Sequence, residues 1–249
     1  MQKKFPHPPG AADLAAIRKH LRSQGTSAYT EWRWVFYGDS ITHGAKHTCG
    51  WRSFPEIFAE RVRYELHLGE DIVINSGISG HTTVQLLDEL EFRVRIAELR
   101  PHVVLLMIGC NDSLKVPDIA VFQKNLTMLV RKFRELGAIP VLQTCTPIRK
   151  TPENPDYMTR FERLPAYNDA IRRTAAESDA VLVDHDARWR EIASSPEKLA
   201  RLLGEAIHPG ALGHLEIAKE IFRVFGIFDS ECPCCHPFGT PFSIPPETN

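Results

Sequence analysis

The sequence predicts an α/β fold, a parallel sheet with helices on both faces. Five short apolar runs rich in β-branched or aromatic residues recur along the 249-residue chain. Longer segments with apolar residues at three- and four-residue steps separate them. Several runs are apolar nearly throughout, the pattern of strands covered on both faces. With alternating strands and helices, the right-handed crossover rule makes the sheet parallel.

In chain order the strands are WRWVFYG (32–38), DIVINSG (71–77), HVVLLMIG (102–109), AIPVLQTC (138–145) and AVLVDHD (180–186). The clearest helix covers 118–136, where Phe122, Leu126, Leu129, Val130, Phe133 and Leu136 form an apolar stripe. Pro117 and Asp118 mark its start and Gly137 its stop. Further helices are predicted near 12–23, 52–66, 82–98, 166–178 and 211–225. Residues 146–163, TPIRKTPENPDYMTRFER, read as a long polar loop after the fourth strand, and a loop of that length points to function or mobility. The chain divides into a helical lead-in (1–30), a main domain (31–228) and a Cys/Pro-rich tail (229–249), the last expected at the surface.

Composition narrows the function. A formal net charge of −1 argues against nucleic acid or an anionic membrane surface as partner. No apolar run is long enough to span a bilayer, and no apolar stretch follows Lys3 and Lys4 as in a secretory signal, so the expected location is the cytoplasm. Of six cysteines, Cys49, Cys110 and Cys145 are expected as buried or half-buried thiols. Cys232, Cys234 and Cys235 crowd into ECPCCH, where solvent-accessible reactive thiols are expected ahead of a metal site, since the second pair of a structural zinc site is missing.

In open parallel sheets ligands bind beyond the carboxyl ends of the strands. There the sequence turns abruptly small and polar: GDSITHG after the first strand, NSGISGHT after the second, GCNDS after the third. Acyl transfer needs a hydroxyl nucleophile, an imidazole base, an orienting carboxylate and oxyanion donors. Ser40 lies in the first strand-to-helix turn, where its own amide is a potential oxyanion donor. Gly80 has no side chain to shield its N–H, and Asn111 carries an amide NH₂. His208, in LLGEAIHPGALGH, arrives late in the chain with Glu205 three positions before it.

The blocks GDSIT, NSGISG, GCND and EAIHPGALGH, in that order over about residues 33–225, resemble those of the SGNH hydrolase (GDSL-type esterase/lipase) superfamily. The resemblance implies a flavodoxin-like three-layer α/β/α sandwich with a five-stranded parallel sheet. It implies Ser40 as nucleophile, His208 as base, Gly80 and Asn111 as oxyanion donors with the Ser40 amide, and neither metal nor organic cofactor. No G-x-S-x-G elbow is present, which disfavours the α/β-hydrolase route. The family pattern has Asp where this chain has Glu205; Asp184 and Asp186, at the end of the fifth strand, are the alternative acids.

The expected function is a serine esterase acting through an acyl-enzyme on small-molecule or carbohydrate esters, with short acyl groups such as O-acetyl. The alternatives are a lysophospholipase- or thioesterase-type hydrolase and a weakly active relative that binds an acylated ligand or glycan. His43, His47 and His81 are expected to line a polar cleft rather than bind a metal, and His214 to cap a helix or sit at the surface. Asp39 and Asp112 are expected to bond backbone N–H groups in their turns.

Overall fold

The computed structural model describes residues 9–44 and 47–236. Five strands, β1 (Arg33–Gly38), β2 (Ile72–Gly77), β3 (Val103–Met107), β4 (Ile139–Gln143) and β5 (Val181–Val183), form one sheet in the order β2-β1-β3-β4-β5. Every neighbouring pair is parallel. The helices are α1 (Ala11–His20), α2 (Ser40–His43), α3 (Phe54–Glu60), α4 (Thr83–Leu86), α5 (Glu89–Arg95), α6 (Asp112–Lys115), α7 (Ile119–Glu135), α8 (Pro155–Glu177), α9 (His185–Ile192), α10 (Pro196–Leu202) and α11 (Ala211–Phe225). The sheet, its parallel sense and the helical layers are those expected, and the strand order is the flavodoxin-like one.

Side chains alternate across β1, which lies between β2 and β3, and set the two outer layers. Trp34 and Phe36 both pack edge-on against Phe58 of α3, and Trp34 also meets Phe225 of α11. Tyr37 faces the other way, its hydroxyl donating to the Leu86 carbonyl of α4. α7 and α8 pack together on that second side. β3 is buried along its whole length, but β2 is an edge strand with Ile72 exposed, so its apolar run is not covered on both faces.

Helix α7 begins and ends where its signals place it. The Asp118 carboxylate accepts the Ala120 N–H, and Gly137 follows the last turn at φ 76°, a conformation that favours glycine. Its stripe residues are buried except Leu136, which is exposed. The predicted helix over 82–98 is broken instead: Asp88 accepts from the Leu90 and Glu91 amides and restarts the chain as α5.

Residues 146–163 are not a long loop. α8 starts at Pro155, with Asn154 accepting the Asp156 and Tyr157 amides, so the prolines that suggested a loop include one at the first helical position, where a missing N–H costs nothing. Pro165 lies inside the same helix, which is held by its packing against α7. α9 and α10 also went unpredicted; both are short and capped by side chains, of Asp184 and Ser195.

Outside the sheet, α1 is moored at both ends. Gly10 N–H donates to Asp179, and the Arg18 guanidinium to the Val224 carbonyl. Asp71, fully buried, accepts from Trp34 Nε1, Trp32 N and Tyr29 OH and pairs with His20 Nε2 at 2.8 Å. One carboxylate thereby ties the lead-in to the start of β2. Cys110 and Cys145 are buried, but Cys49 is exposed, contrary to expectation. Among the described residues no helix is long and apolar enough to cross a membrane.

Candidate active site

The carboxyl end of β1 is built around two close approaches that only glycine permits. A Cβ on Gly38 would lie 2.1 Å from the Met107 carbonyl oxygen and 2.5 Å from Thr42 Oγ1. One on Gly77 would lie 2.4 Å from the His43 nitrogen. Between them the chain turns at Asp39, whose carboxylate accepts the Ile41 N–H, and Ser40 opens the four-residue helix α2. From the neighbouring strand, the Asn75 side-chain amide donates to the Thr42 carbonyl at 2.8 Å and clamps that helix. Ser40 therefore stands in a fixed rotamer frame at the sheet edge, 9% exposed.

His208 arrives on a loop that folds back on itself. The Gly204 N–H donates to the His208 carbonyl at 2.9 Å and Gly210 N–H to Leu202, while Leu203 and Pro209 form an antiparallel bridge. A further bond from Arg149 N–H to the Ala206 carbonyl ties the loop to the segment after β4. The result sets Ser40 Oγ 2.7 Å from His208 Nε2, with Glu205 Oε1 hydrogen-bonded to His208 Nδ1. A carboxylate can only accept, so Nδ1 carries the proton and Nε2 is free to accept from Ser40.

The same Glu205 oxygen also accepts from His47 Nδ1 at 2.9 Å. His47 stacks on His208 with ring centroids 3.4 Å apart and planes 8° from parallel. Asp184 and Asp186, the alternative acids, are engaged elsewhere. Arg172 binds both, Asp184 also accepts from Thr144 and the Ala187 amide, and Asp186 pairs with Arg190.

His208 is held below the usual imidazole range, first by burial and then by the His47 ring, with Arg160 adding to the depression; Glu205 opposes them. A depressed value keeps the ring neutral, the form in which Nε2 accepts a proton. Arg160 is buried in α8, its Nε without a hydrogen-bond partner, and its charge is felt by Asp39 as well as His208. Burial pushes Asp39 up to about 7 and Asp112 up to about 6. Asp112 accepts from both the amide and the hydroxyl of Thr83, which joins the loops after β2 and β3.

β1 is flanked by β2 and β3, so the loops bearing Gly80 and Asn111 stand on either side of Ser40. Gly80 is at φ 83°, and its carbonyl accepts from Lys115 Nζ at 3.0 Å. Asn111 donates one amide hydrogen to the His81 carbonyl at 3.1 Å, and its NH₂ carries a second. The three histidines weighed as a cluster are not together. His43 Nδ1 meets Ser79 Oγ, His47 joins Glu205, and His81 lies in the Gly80 loop. His214 is no surface residue; it is buried, its Nδ1 accepts the Phe54 N–H at the start of α3, and burial lowers it to about 3.

His47 was expected to line the cleft, but nothing in the sequence pointed to its pairing with Glu205, 158 positions later. Arg160 escaped sequence reasoning because it fell within the stretch read as a loop. A helical spacing over 157–171, with Tyr157, Leu164, Tyr167 and Ile171, was the signal available for the second.

A model of the GDSL-like lipase/acylhydrolase family matches residues 36–215. The chain belongs to that family. It is 28% identical to an acetylxylan esterase of Geobacillus stearothermophilus over 210 residues, which cover 77% of this chain and 93% of that one. The crystal structure of Axe2, an acetylxylan esterase from the same organism, superposes with a TM-score of 0.63 at 22% identity, covering 80% of this chain and 97% of that one. LAE5, an α/β hydrolase from the metagenome of Lake Arreo, Spain, gives 0.64 at 24% identity over 80% and 97%. This GDSL-type chain is thus a carboxylic ester hydrolase with the SGNH fold.

Proposed function

We propose that the protein is a serine esterase that removes short acyl groups, in the first place O-acetyl, from a carbohydrate. The observation that carries the catalytic assignment is the relay from Glu205 through His208 to Ser40, with Nε2 2.7 Å from Oγ. Ser40 Oγ attacks the ester carbonyl while His208 Nε2 takes its proton. The Ser40 and Gly80 amides and the Asn111 side chain stabilise the negative charge on the former carbonyl oxygen. Collapse expels the sugar alkoxide, which receives the proton from His208. Water, deprotonated by the same nitrogen, then releases acetate and restores Ser40.

Support for the acyl and alcohol parts comes from the acetylxylan esterase relative and from the polar surroundings of Ser40. Asn111, Lys115 and the histidines of the flanking loops suit a hydroxylated leaving group better than an acyl chain of many carbons. The test is a p-nitrophenyl ester series from acetate to octanoate, run beside acetylated xylo-oligosaccharides. Preference for acetate and release of acetate from the oligosaccharide are expected, both lost in Ser40→Ala. Full activity in Ser40→Ala overturns the mechanism, and a preference for octanoate overturns the substrate class.

A further inference from the structure

The Cys232, Cys234 and Cys235 side chains, expected as exposed thiols, are all buried, and their sulfur atoms lie within 4.8 Å of one another. The short 3₁₀ turn Pro233–Cys235, closed by Cys235 N–H to the Cys232 carbonyl at 3.0 Å, produces the convergence. Residues three apart eclipse in such a turn, so Cys232 and Cys235 fall on one side. Cys232 Sγ and Cys234 Sγ are 3.5 Å apart. Four-coordinate zinc with bonds of about 2.3 Å holds thiolates about 3.8 Å from one another. A single disulfide among the three would leave one thiol over.

A further donor, absent from the neighbouring sequence, comes from 169 positions earlier in the chain. α3 continues into one π turn, Arg61–Glu65, and its last residue meets the cysteines. Glu65 Oε1 accepts the Cys234 N–H at 2.7 Å, and Oε2 lies 3.1 Å from Cys234 Sγ. Arg61 donates to Oε2 at 2.8 Å and to the Ile227 carbonyl at 2.7 Å, which places a fixed positive charge beside the donors. We propose that Cys232, Cys234, Cys235 and Glu65 form a structural site for zinc or a similar thiolate-preferring divalent cation.

On binding, the thiols release their protons to solvent and become thiolate ligands, Glu65 supplies the oxygen, and Arg61 offsets part of the resulting negative charge. The ion links the segment after α11 to the π turn that ends α3, which already meet through the bonds from Arg61 to the Ile227 carbonyl. It would act on stability and leave the chemistry at Ser40 alone.

The test is made on the full-length protein. After zinc loading and desalting, elemental analysis is expected to find one tightly held zinc per chain, resistant to a weak chromophoric chelator. Replacement by cobalt(II) is expected to give the intense visible bands of a tetrahedral site and a near-ultraviolet thiolate-to-cobalt charge-transfer band. In Cys232→Ser/Cys235→Ser the charge-transfer band and the bound zinc should disappear, and the zinc-dependent rise in Tm with them, while p-nitrophenyl acetate hydrolysis persists. Because the parent protein alone decides the spectrum, a variant that fails to fold leaves the test intact. Absence of stoichiometric zinc, a cobalt spectrum without the charge-transfer band, or a disulfide among these cysteines in freshly reduced, zinc-loaded protein would overturn the proposal.

Discussion

His47 lies flat on His208, and both rings point a nitrogen at the same oxygen of Glu205. Glu205 is a methylene longer than the family's Asp and partly exposed, so an isolated Glu at that place would have several rotamers open to it. The second hydrogen bond fixes the carboxylate, and the stacked ring leaves His208 one plane to occupy. His47→Ala is therefore expected to lower kcat about tenfold to a hundredfold, the range that small misplacements of a reacting group cost. His47→Gln, which keeps a donor for Glu205, should recover part of the loss.

The pH profile gives a separate readout of the same pair. As the proposed base, His208 works neutral, so activity is expected to fall as pH drops through its depressed value. His47 contributes to that depression and Glu205 opposes it. The acid limb of kcat/KM should then move to higher pH in His47→Ala and to lower pH in Glu205→Gln. A purely structural role for His47 would leave the limb in place.

Glu205→Gln also presents an amide to His208 Nδ1 and favours the wrong tautomer. Loss of an orienting acid costs on the order of 10⁴ in kcat in Ser-His-acid enzymes. Glu205→Asp retains the charge but shortens the reach to both rings, and a smaller deficit is expected. Steady-state kinetics on p-nitrophenyl acetate separate the two variants.

Removing one oxyanion donor usually costs about 10² to 10³ in kcat. Asn111→Ala should show that loss with KM little changed, because the interaction strengthens only as charge develops. Its circular dichroism should match the parent, with the single bond to the His81 carbonyl as the structural loss.

Asp39 has its affinity for a proton raised to about 7 by burial. A carboxyl raised in the folded state binds more protons folded than unfolded, so its contribution favours folding at low pH and is lost as pH rises from about 4 through about 7. Asp39→Asn keeps an acceptor for the Ile41 N–H without the buried charge. Its Tm should exceed the parent's at pH above 7 and converge with it in acid, as thermal melts across pH will show.

Asp71 serves four partners from a fully buried position. Asp71→Ala strands the Trp34, Trp32 and Tyr29 donors, each worth about 1–3 kcal/mol when left unsatisfied in the interior. A loss of roughly 3 kcal/mol or more is expected in urea melts, with the lead-in segment becoming susceptible to protease first.

Much of the candidate site was legible because it lies at strand ends, where an abrupt change from apolar to small polar residues is a local signal. Ser40, Gly80 and Asn111 sit in such changes, and the strand order brings the three loops together. The Glu205 relay was legible only as an i, i+3 spacing, and its choice over Asp184 required knowing that Arg172 occupies the latter. Its second partner was hidden because stacking between residues 47 and 208 is tertiary and has no sequence period. The first half of α8 was hidden for a different reason: proline is a breaker inside a helix but a starter at its first position, and Pro155 has the second role. The burial of the cysteines is tertiary, with Cys234 meeting Glu65 169 positions earlier, which a reading confined to the tail could not see.

The distance along the chain between Ser40 and His208 has a consequence for synthesis. The two are 168 positions apart, and ribosomes add about 5–20 residues per second. A growing polypeptide thus carries Ser40 for roughly ten to thirty seconds before the imidazole proposed to activate it has been made. A chain stopped within that interval holds a serine without its imidazole. On the proposed assignment the site is assembled only after the chain has been made past His208 and has folded, so polypeptides truncated before that residue are expected to leave p-nitrophenyl acetate intact.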